Sequence, residues 1–272
     1  MSLVSTAECW PEKRPILGIG ITPTNYDQAV DAIVAAVRRR EGGVVTAFPV
    51  HGVVTAAGDP ALRAKVAAFE LVVPDGQPVR WALNLLHGAG LTDRVYGPEL
   101  MLRLCARAAE QGIGVYLYGS VPDVLERLQA RLLERFPSLR IAGADSPPFR
   151  PLTPAEDRAA VDRIAASGAG LLFLGLGCPR QDEFAAAHRH RLRAVQICVG
   201  AAFDFHSGNK RMAPPWMQRN GLEWLFRLSE EPGRLWRRYL VTNSVFAALL
   251  ARDLLLSRLG RARLAAPPGR PS

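Results

Sequence analysis

The sequence predicts an α/β fold in which helices flank a mainly parallel sheet, followed by a C-terminal helical appendage. Three observations support this prediction. Short apolar runs recur up to about residue 205, helical patterns separate them, and beyond residue 206 only helical patterns remain. Runs that are apolar on both faces are typical of strands buried between helices. Their alternation with helices indicates a Rossmann-like parallel sheet.

The predicted strands are short, and most are bounded by Gly or Pro. They lie at residues 16–21, 44–48, 71–74, 115–119, 140–143, 171–176 and 195–200. The predicted helices between them cover residues 25–40, 98–111, 122–136, 154–167 and 182–191. Several of these helices carry Pro in the first turn, and Gly112 follows the helix at 98–111, which is typical of helix ends.

The C-terminal part is predicted to contain two further helices. Pro214 and Pro215 open one that reaches about Leu228, and Pro232 opens another that reaches about Leu259. The predicted organisation is an α/β core, a helical appendage and a disordered tail, at residues 1–205, 206–262 and 263–272.

The charge of the chain indicates an anionic partner. Its formal net charge is +9, and the segment 216–263 holds nine arginines but only four acidic residues. Nucleic acid, an acidic bilayer and a phosphorylated substrate all fit such a charge. Because Leu and Trp interrupt the arginines, a bilayer or lipid-linked acceptor is favoured over nucleic acid. The alternative is an apolar face packed on the core beside solvated arginines. The candidate membrane or acceptor residues are Arg219, Arg227, Arg234, Arg237 and Arg238.

The cysteines and the apolar segments predict a cytoplasmic protein with peripheral membrane contact. The four cysteines lack CxxC spacing, which favours free thiols in a reducing compartment over zinc ligands. They are Cys9, Cys105, Cys178 and Cys198. The N-terminus does not resemble a signal peptide. The longest apolar candidate, at 245–259, is interrupted by Arg252 and Asp253, so no membrane span is predicted.

Asp75 is the first candidate at the carboxyl edge of the sheet, where open parallel sheets bind ligands. It follows a buried strand and precedes Gly76 and a helix. Two interpretations remain open: Asp75 caps that helix, or it acts as a general base. Thr46 ends an earlier strand, and a single Thr at such a position does not by itself indicate a functional role.

A glycine loop after the strand at 171–176 is the second candidate. Gly175 and Gly177 precede Pro179 and Gln181 at a strand-to-helix junction, where backbone N–H groups can approach a phosphate. A tight turn without a ligand is the alternative, and a GxGxxG fingerprint is lacking. Two charged residues complete the candidate set: Asp204, just past a strand, and Arg94, before a helix. A plain surface charge is the alternative for Arg94.

Several well-known catalytic motifs are missing from the sequence. It has no P-loop, HExxH, GxSxG or kinase signature. It also has no Asp-x-Asp pair, which commonly holds a metal–nucleotide complex, so a metal cofactor is not expected.

Segments spread over residues 15–245 together resemble the WecG/TagA/CpsF family of bacterial glycosyltransferases. They are Thr46, PDG at 74–76, RVYGPEL at 94–100, FLGLGCPRQDEF at 173–184, GAAFDFHSG at 200–208 and APPWMQRNGLEWLFRLSEEPGRLWRRYL at 213–240. The resemblance implies an inverting transfer from a UDP-sugar, typically UDP-N-acetylmannosamine, to a polyprenyl-diphosphate-linked sugar in surface polysaccharide synthesis. Self-association into a homo-oligomer is left open.

The resemblance also implies roles for individual residues. Asp75 matches the general base, Thr46 a polar residue of the same pocket, and Arg94 a basic residue facing the diphosphate. Gln181 matches a side chain that faces the donor, and Asp204 lies in the loop on the nucleotide side.

Three positions depart from the family pattern. Phe48 stands where the family usually has Asn, Met212 replaces an Arg, and Asp182 replaces a Glu. Phe48 can only stack or pack, so this change bears on the sugar that is bound. It also supports a second hypothesis, a catalytically silent membrane scaffold. A third hypothesis, a nucleotide-dependent oxidoreductase, is disfavoured by the missing fingerprint.

Overall fold

The computed structural model describes the backbone of residues 10–265. Residues 1–9 and 266–272 lie outside the described part, and so do the side chains of Arg234, Arg238 and residues 257–265. Cys9 and most of the predicted disordered tail therefore fall outside it.

Six parallel strands form the central sheet, in the order β4-β3-β8-β7-β5-β6. Their bounds are β3 Gly43–Phe48, β4 Leu71–Pro74, β5 Val115–Gly119, β6 Ile141–Asp145, β7 Leu171–Gly175 and β8 Val195–Cys198. This confirms the predicted α/β class and the mainly parallel, Rossmann-like sheet. Strands β4, β3, β8 and β7 are neighbours, so the loops at their carboxyl ends meet at one edge.

The first predicted strand, at 16–21, is wrong. The chain forms a small antiparallel hairpin there, with strands β1 Arg14–Ile16 and β2 Ile19–Ile21 outside the main sheet. Leu17 and Gly18 both have positive φ, 51° and 78°, which is the conformation of a two-residue hairpin turn. An apolar run interrupted only by Gly did not reveal this reversal.

Nine helices of the described chain belong to the core. They are α1 Tyr26–Arg39, α2 Val50–Gly58, α3 Pro60–Ala67, α4 Gln77–His87, α5 Gly97–Gln111, α6 Pro122–Arg135, α7 Pro154–Ala166, α8 Arg180–His188 and α9 Ala202–His206. Capping boxes at Asn25 and Thr153 fix the starts of α1 and α7. Helices α2, α3 and α9 have no counterpart in the sequence prediction.

Apolar residues on the two faces of the sheet form two core clusters. Strand β3 shows the division: Val44 and Phe48 point into one cluster, while Val45 and Ala47 point into the other. This period of two is expected of a strand buried on both faces.

The C-terminal appendage consists of three helices rather than two. They are α10 Pro215–Arg219, α11 Glu223–Glu230 and α12 Pro232–Ala265. Gly221, with φ of 71°, separates α10 from α11, and a helical φ is negative, so the predicted single helix ends there. Helix α12 packs against α2 and α4, and it continues three residues into the predicted tail.

Helix α12 is long and apolar enough to cross a membrane, by length and composition only. The stretch concerned is Leu235–Leu256, which has 22 residues and is mostly not buried in the protein. Length and composition alone do not distinguish a membrane-spanning helix from a helix of a soluble protein, so the expectation of no membrane span stays a prediction. Leu235 and Phe246 of this stretch are buried against the rest of the chain.

Candidate active site

The loops at the carboxyl ends of the neighbouring strands enclose a cleft of about 570 Å³. Arg227 of the appendage lines it, and so do five of the residues predicted at the sheet edge: Asp75, Gly175, Gly177, Gln181 and Asp204. The sheet order brings them together, since they follow three strands that are distant in sequence but belong to one contiguous set of four. The prediction of a ligand site at this edge is consistent with the cleft found there.

A smaller cavity of about 180 Å³ adjoins the cleft. Helices α11 and α12 close it over α4, with Trp224, Tyr239 and Asn243 in its wall. Asp75 and Tyr96 line both cavities. Asp75 therefore stands where the two spaces meet, and a group in either space can approach its carboxylate.

The carboxylate of Asp75 is held by a neighbouring helix. Its Oδ1 accepts a hydrogen bond from the Gly97 N–H at the start of α5, at 3.2 Å. The N-cap of α4 is Gly76, which gives no side-chain cap, so the helix-cap interpretation of Asp75 is wrong for that helix. Burial raises the pKa of Asp75 to about 6, opposed by the charge of Arg94 and assisted by that of Glu223. A carboxyl with such a pKa is ionised at neutral pH yet remains basic enough to take a proton.

Arg94 and Glu223 form a buried ion pair between the core and the appendage. Arg94 Nη2 lies 2.5 Å from Glu223 Oε2, and the Tyr96 hydroxyl donates to Glu223 Oε1 at 2.8 Å. The guanidinium also lies 4.1 Å from the centroid of the Tyr96 ring. Arg94 lines only the smaller cavity. Its charge is used to dock α11, and its predicted contact with a diphosphate stays a prediction.

Arg227 supplies a cation to the cleft instead. It lies one turn after Glu223 on α11, is half-buried and lines both cavities. Its guanidinium carbon lies 5.6 Å from the centroid of the Phe205 ring. Arg227 was predicted to face a membrane or the acceptor. The structure turns it into the site, so the membrane interpretation is wrong for this residue.

Comparisons with known proteins identify the family of the chain. The model of the glycosyl transferase WecG/TagA/CpsF family matches residues 14–260. The chain belongs to this family. One relative, an N-acetylglucosaminyldiphosphoundecaprenol N-acetyl-beta-D-mannosaminyltransferase of Bacillus spizizenii, is 32% identical over 211 residues. That match covers 77% of this chain and 79% of the relative. The expected membership of a glycosyltransferase family is confirmed.

Thr46, which the family resemblance places in the pocket, is fully buried beneath it. Its hydroxyl donates to Asp182 Oδ1 at 2.7 Å, and neither residue lines the cleft. Burial raises the pKa of Asp182 to about 6, opposed by the Thr46 hydrogen bond. Thr46 therefore positions the start of α8 and does not contact a ligand. This corrects the prediction that Thr46 is a catalytic residue of the pocket.

Phe48, the main departure from the family pattern, belongs to the core. It is 1% exposed and does not line the cleft. A Cβ on Gly52 would lie 2.9 Å from its ring, so the ring fills the space that Gly52 leaves free. Its predicted role in substrate binding is wrong. The replacement of Asn by Phe48 therefore does not support the hypothesis of a catalytically silent scaffold, because position 48 does not line the cleft.

The glycine loop forms one wall of the cleft. Gly177 has φ of 78°, which favours glycine, and its carbonyl accepts from the Gln181 N–H at 2.9 Å. The Gln181 side chain is buried, and its Oε1 accepts from the Gly200 N–H at 3.0 Å. Gln181 thus joins the loops after β7 and β8. Pro179 is the N-cap of α8 and lies beside the cleft rather than in its lining.

Met212 and its neighbours lie at the entrance to the appendage. Met212 is partly exposed and does not line the cleft, whereas Lys210 does. The Lys210 ammonium pairs with Glu231 at 2.7 Å. Lys210 therefore brings a cation to the cleft close to the position where the family usually has Arg.

Asp204 lies in helix α9 on the floor of the cleft, and its Oδ1 accepts from Asn209 Nδ2 at 2.7 Å. Among the described residues, no group of three or more His, Cys, Asp or Glu is placed to hold a metal ion. The described cysteines are free thiols: Cys105 and Cys198 are buried, and Cys178 is partly exposed in the cleft.

Sequence reasoning missed three residues of the site. Glu223 was counted only as a charge of the basic tail, and Tyr96 as part of a motif. Phe149 was not considered, although it is 72% exposed and lines the cleft. A polar residue in an apolar helix, such as Glu223 between Leu222 and Trp224, was the one available signal.

Proposed function

We propose that this chain transfers a sugar from a UDP-sugar to a polyprenyl-diphosphate-linked saccharide, with inversion at the anomeric carbon. Family membership and the relative's activity on a diphosphoundecaprenol acceptor support this class. The observation that carries the proposal is the position of Asp75 at the junction of two cavities. The larger cavity takes the nucleotide and the smaller takes the acceptor sugar. An N-acetylmannosamine donor is the first choice because the relative transfers that sugar.

The proposed reaction is a single displacement. Asp75 takes the proton of the acceptor hydroxyl, and the freed oxygen pair forms a bond to the anomeric carbon. The bond from that carbon to the β-phosphate oxygen breaks, and UDP leaves with its electron pair. Attack opposite to the leaving group inverts the configuration. A carboxylate with a pKa of about 6 is suited to this transfer near neutral pH.

The departing diphosphate needs positive charge and hydrogen-bond donors. Arg227 lines both cavities beside Asp75, and Gly177 gives a close backbone approach on the opposite wall. Fixed groups of this kind stabilise the charge that develops in the transition state. The exposed ring of Phe149 offers a stacking surface for the uracil base.

We expect transfer to be independent of metal, because Arg227 supplies positive charge in the cleft. The measurement is UDP release from a UDP-sugar panel with a short-chain polyprenyl-diphosphate-sugar acceptor, with and without excess EDTA. Unchanged release supports the proposal. Complete loss that magnesium or manganese restores would contradict it.

The proposed location is the inner face of the cytoplasmic membrane. Helix α12 carries exposed apolar residues, including Leu240 and Val241 at 62% and 60% exposure. Exposed side chains of this kind enter the headgroup boundary of a bilayer, while nearby arginines meet anionic lipid. This placement brings the smaller cavity close to a membrane-embedded acceptor.

The decisive experiment is Asp75→Asn. We expect turnover to fall by about 100-fold or more, since general base catalysis contributes factors of this size. The fold remains, and thermal stability at pH 8 rises, because burial disfavours the charged carboxylate. Asp162→Asn, at an exposed position on α7 away from both cavities, is the control with the same chemical change. Near-wild-type turnover of folded Asp75→Asn would overturn the role of Asp75.

A further inference from the structure

A second cavity lies at the opposite edge of the sheet from the active site. It has a volume of about 520 Å³ and lies where strands β5 to β8 begin. Four arginines line it: Arg40, Arg140, Arg191 and Arg193. None of the residues that the structure places in its lining is acidic. The proposed sugar transfer uses no part of this cavity.

The arginines are largely uncompensated by acidic side chains. Arg191 lies 3.8 Å from Asp157. Over residues 10–265 the structure gives no ion pair to Arg40, Arg140 or Arg193. Positive charges that lack acidic partners and surround a concave surface attract anions.

The C-terminal ends of nearby helices carry partial negative charge, but too little to neutralise these arginines. Helices α1, α5 and α7 end beside the cavity, with Arg40, Gly112 and Ser167 as their C-caps. Each helix end contributes about half a negative charge. Three ends thus supply roughly one and a half negative charges, which is less than the charge of the four arginines. With Asp157 also counted against Arg191, roughly one and a half positive charges remain uncompensated, which is enough to attract a phosphate group.

Gly114 lets one arginine lie close against the cavity wall. A Cβ at Gly114 would come within 2.5 Å of Arg140 Nη2, so the guanidinium occupies the space above this glycine. The floor of the cavity is apolar, with Ile113, Ile164 and Leu192. An apolar floor beneath a ring of guanidinium groups is typical of a site for a small molecule with an anionic group.

The geometry points to a second binding site, for a phosphorylated ligand, at the amino edge of the sheet. Guanidinium groups bind phosphate oxygens in pairs, and a phosphate group matches the excess charge. The volume suits a nucleotide or a sugar phosphate. The same chemistry is offered by a phosphorylated lipid headgroup, so the source is left to the experiment.

Hydrogen–deuterium exchange on the full chain tests this site separately from the active site. The probes are pyrophosphate in the presence of saturating UDP, UDP alone, and vesicles containing phosphatidylglycerol. We expect slower exchange in peptides covering 112–114, 168–170 and 191–194. Pyrophosphate or UDP giving this effect identifies a soluble ligand, and vesicles alone giving it identify a lipid headgroup. Protection of 175–181 by UDP reports on the proposed active site independently.

The deciding variant is Arg140→Gln/Arg193→Gln, with Arg38→Gln/Arg158→Gln as the control of equal charge change. All four side chains are exposed, so both variants are expected to fold. Protection at the amino edge should require at least about tenfold more probe in the first variant and an unchanged amount in the control. No protection in the wild type with any of the three probes would overturn the site. So would an equal loss in both variants.

Discussion

Helices α11 and α12 have similar compositions but face different surroundings. Both contain Leu, Trp and Arg. On α11, Glu223 is buried and Arg227 lines both cavities. On α12, Leu240 and Val241 are exposed, as is Trp236 at 49%. The appendage thus has one helix directed into the site and another that leaves an apolar surface uncovered.

The difference between the two helices comes from one buried ion pair. Glu223 docks α11 by accepting from Arg94 and Tyr96. Removing one partner of such a pair leaves an uncompensated buried charge, which costs about 3–5 kcal/mol. Helix α12 instead contacts the core through apolar residues such as Leu235 and Phe246. Arginines on the two helices should therefore respond differently to mutation.

The largest effect is expected for Arg227→Gln. Loss of a fixed donor at a developing charge lowers turnover by about 100-fold. Arg219→Gln, at an exposed position on α10, is the matched control and should stay within about twofold of wild type. The measurement is kcat/KM for UDP release with a soluble short-chain acceptor. Equal activity of the two variants would remove the distinction between site-facing and exposed arginines.

A smaller effect, with a characteristic pH dependence, is expected for Glu223→Gln. The negative charge of Glu223 raises the pKa of Asp75, so its removal lowers that pKa. Asp75 must be ionised to act as a base, and the acidic limb of kcat/KM therefore moves below its wild-type position near pH 6. Weaker docking of α11 should also reduce kcat/KM at pH 8, by about tenfold.

Glu230→Gln, on the exposed end of the same helix, is the control for that profile. Its acidic limb should coincide with that of the wild type. A Glu223→Gln profile that is also unshifted would show that Glu223 has no electrostatic influence on the base.

The smallest effect on soluble chemistry is expected for Arg234→Glu/Arg237→Glu/Arg238→Glu on α12. Activity with a short-chain acceptor should change by less than about threefold, while binding to anionic vesicles is lost. Each arginine near an anionic surface contributes about 1 kcal/mol, so three reversed charges suffice to prevent recruitment. Co-sedimentation with vesicles at low and high salt is the measurement.

A triple Arg→Glu variant on the core surface, at Arg38, Arg135 and Arg158, provides the same change of charge away from α12. It should retain vesicle binding. If vesicle binding does not depend on salt, or if the α12 variant binds vesicles fully, the α12 arginines are ordinary solvent-exposed residues without a membrane role.

Much of the core could be predicted from the sequence because its strands are buried on both faces. Such strands, for example β3 and β7, are visible as continuous apolar runs. The hairpin at β1 and β2 was missed because a single apolar run contained two short strands. Helices α2 and α3 were missed because their apolar residues lack a clear helical period, and propensity is a weak guide when tertiary packing decides.

The sequence by itself determined the α/β class, the family and the edge of the sheet that holds Asp75, Gly177 and Asp204. These depend on local patterns and on the rule that ligands bind beyond the carboxyl ends of parallel strands. Only the tertiary structure decided the environment of each charge. Arg94 pairs with a glutamate 129 residues away, and Arg227 turns into the cleft. Burial and electrostatic partners are set by contacts between distant segments, and a linear pattern of charges does not specify them.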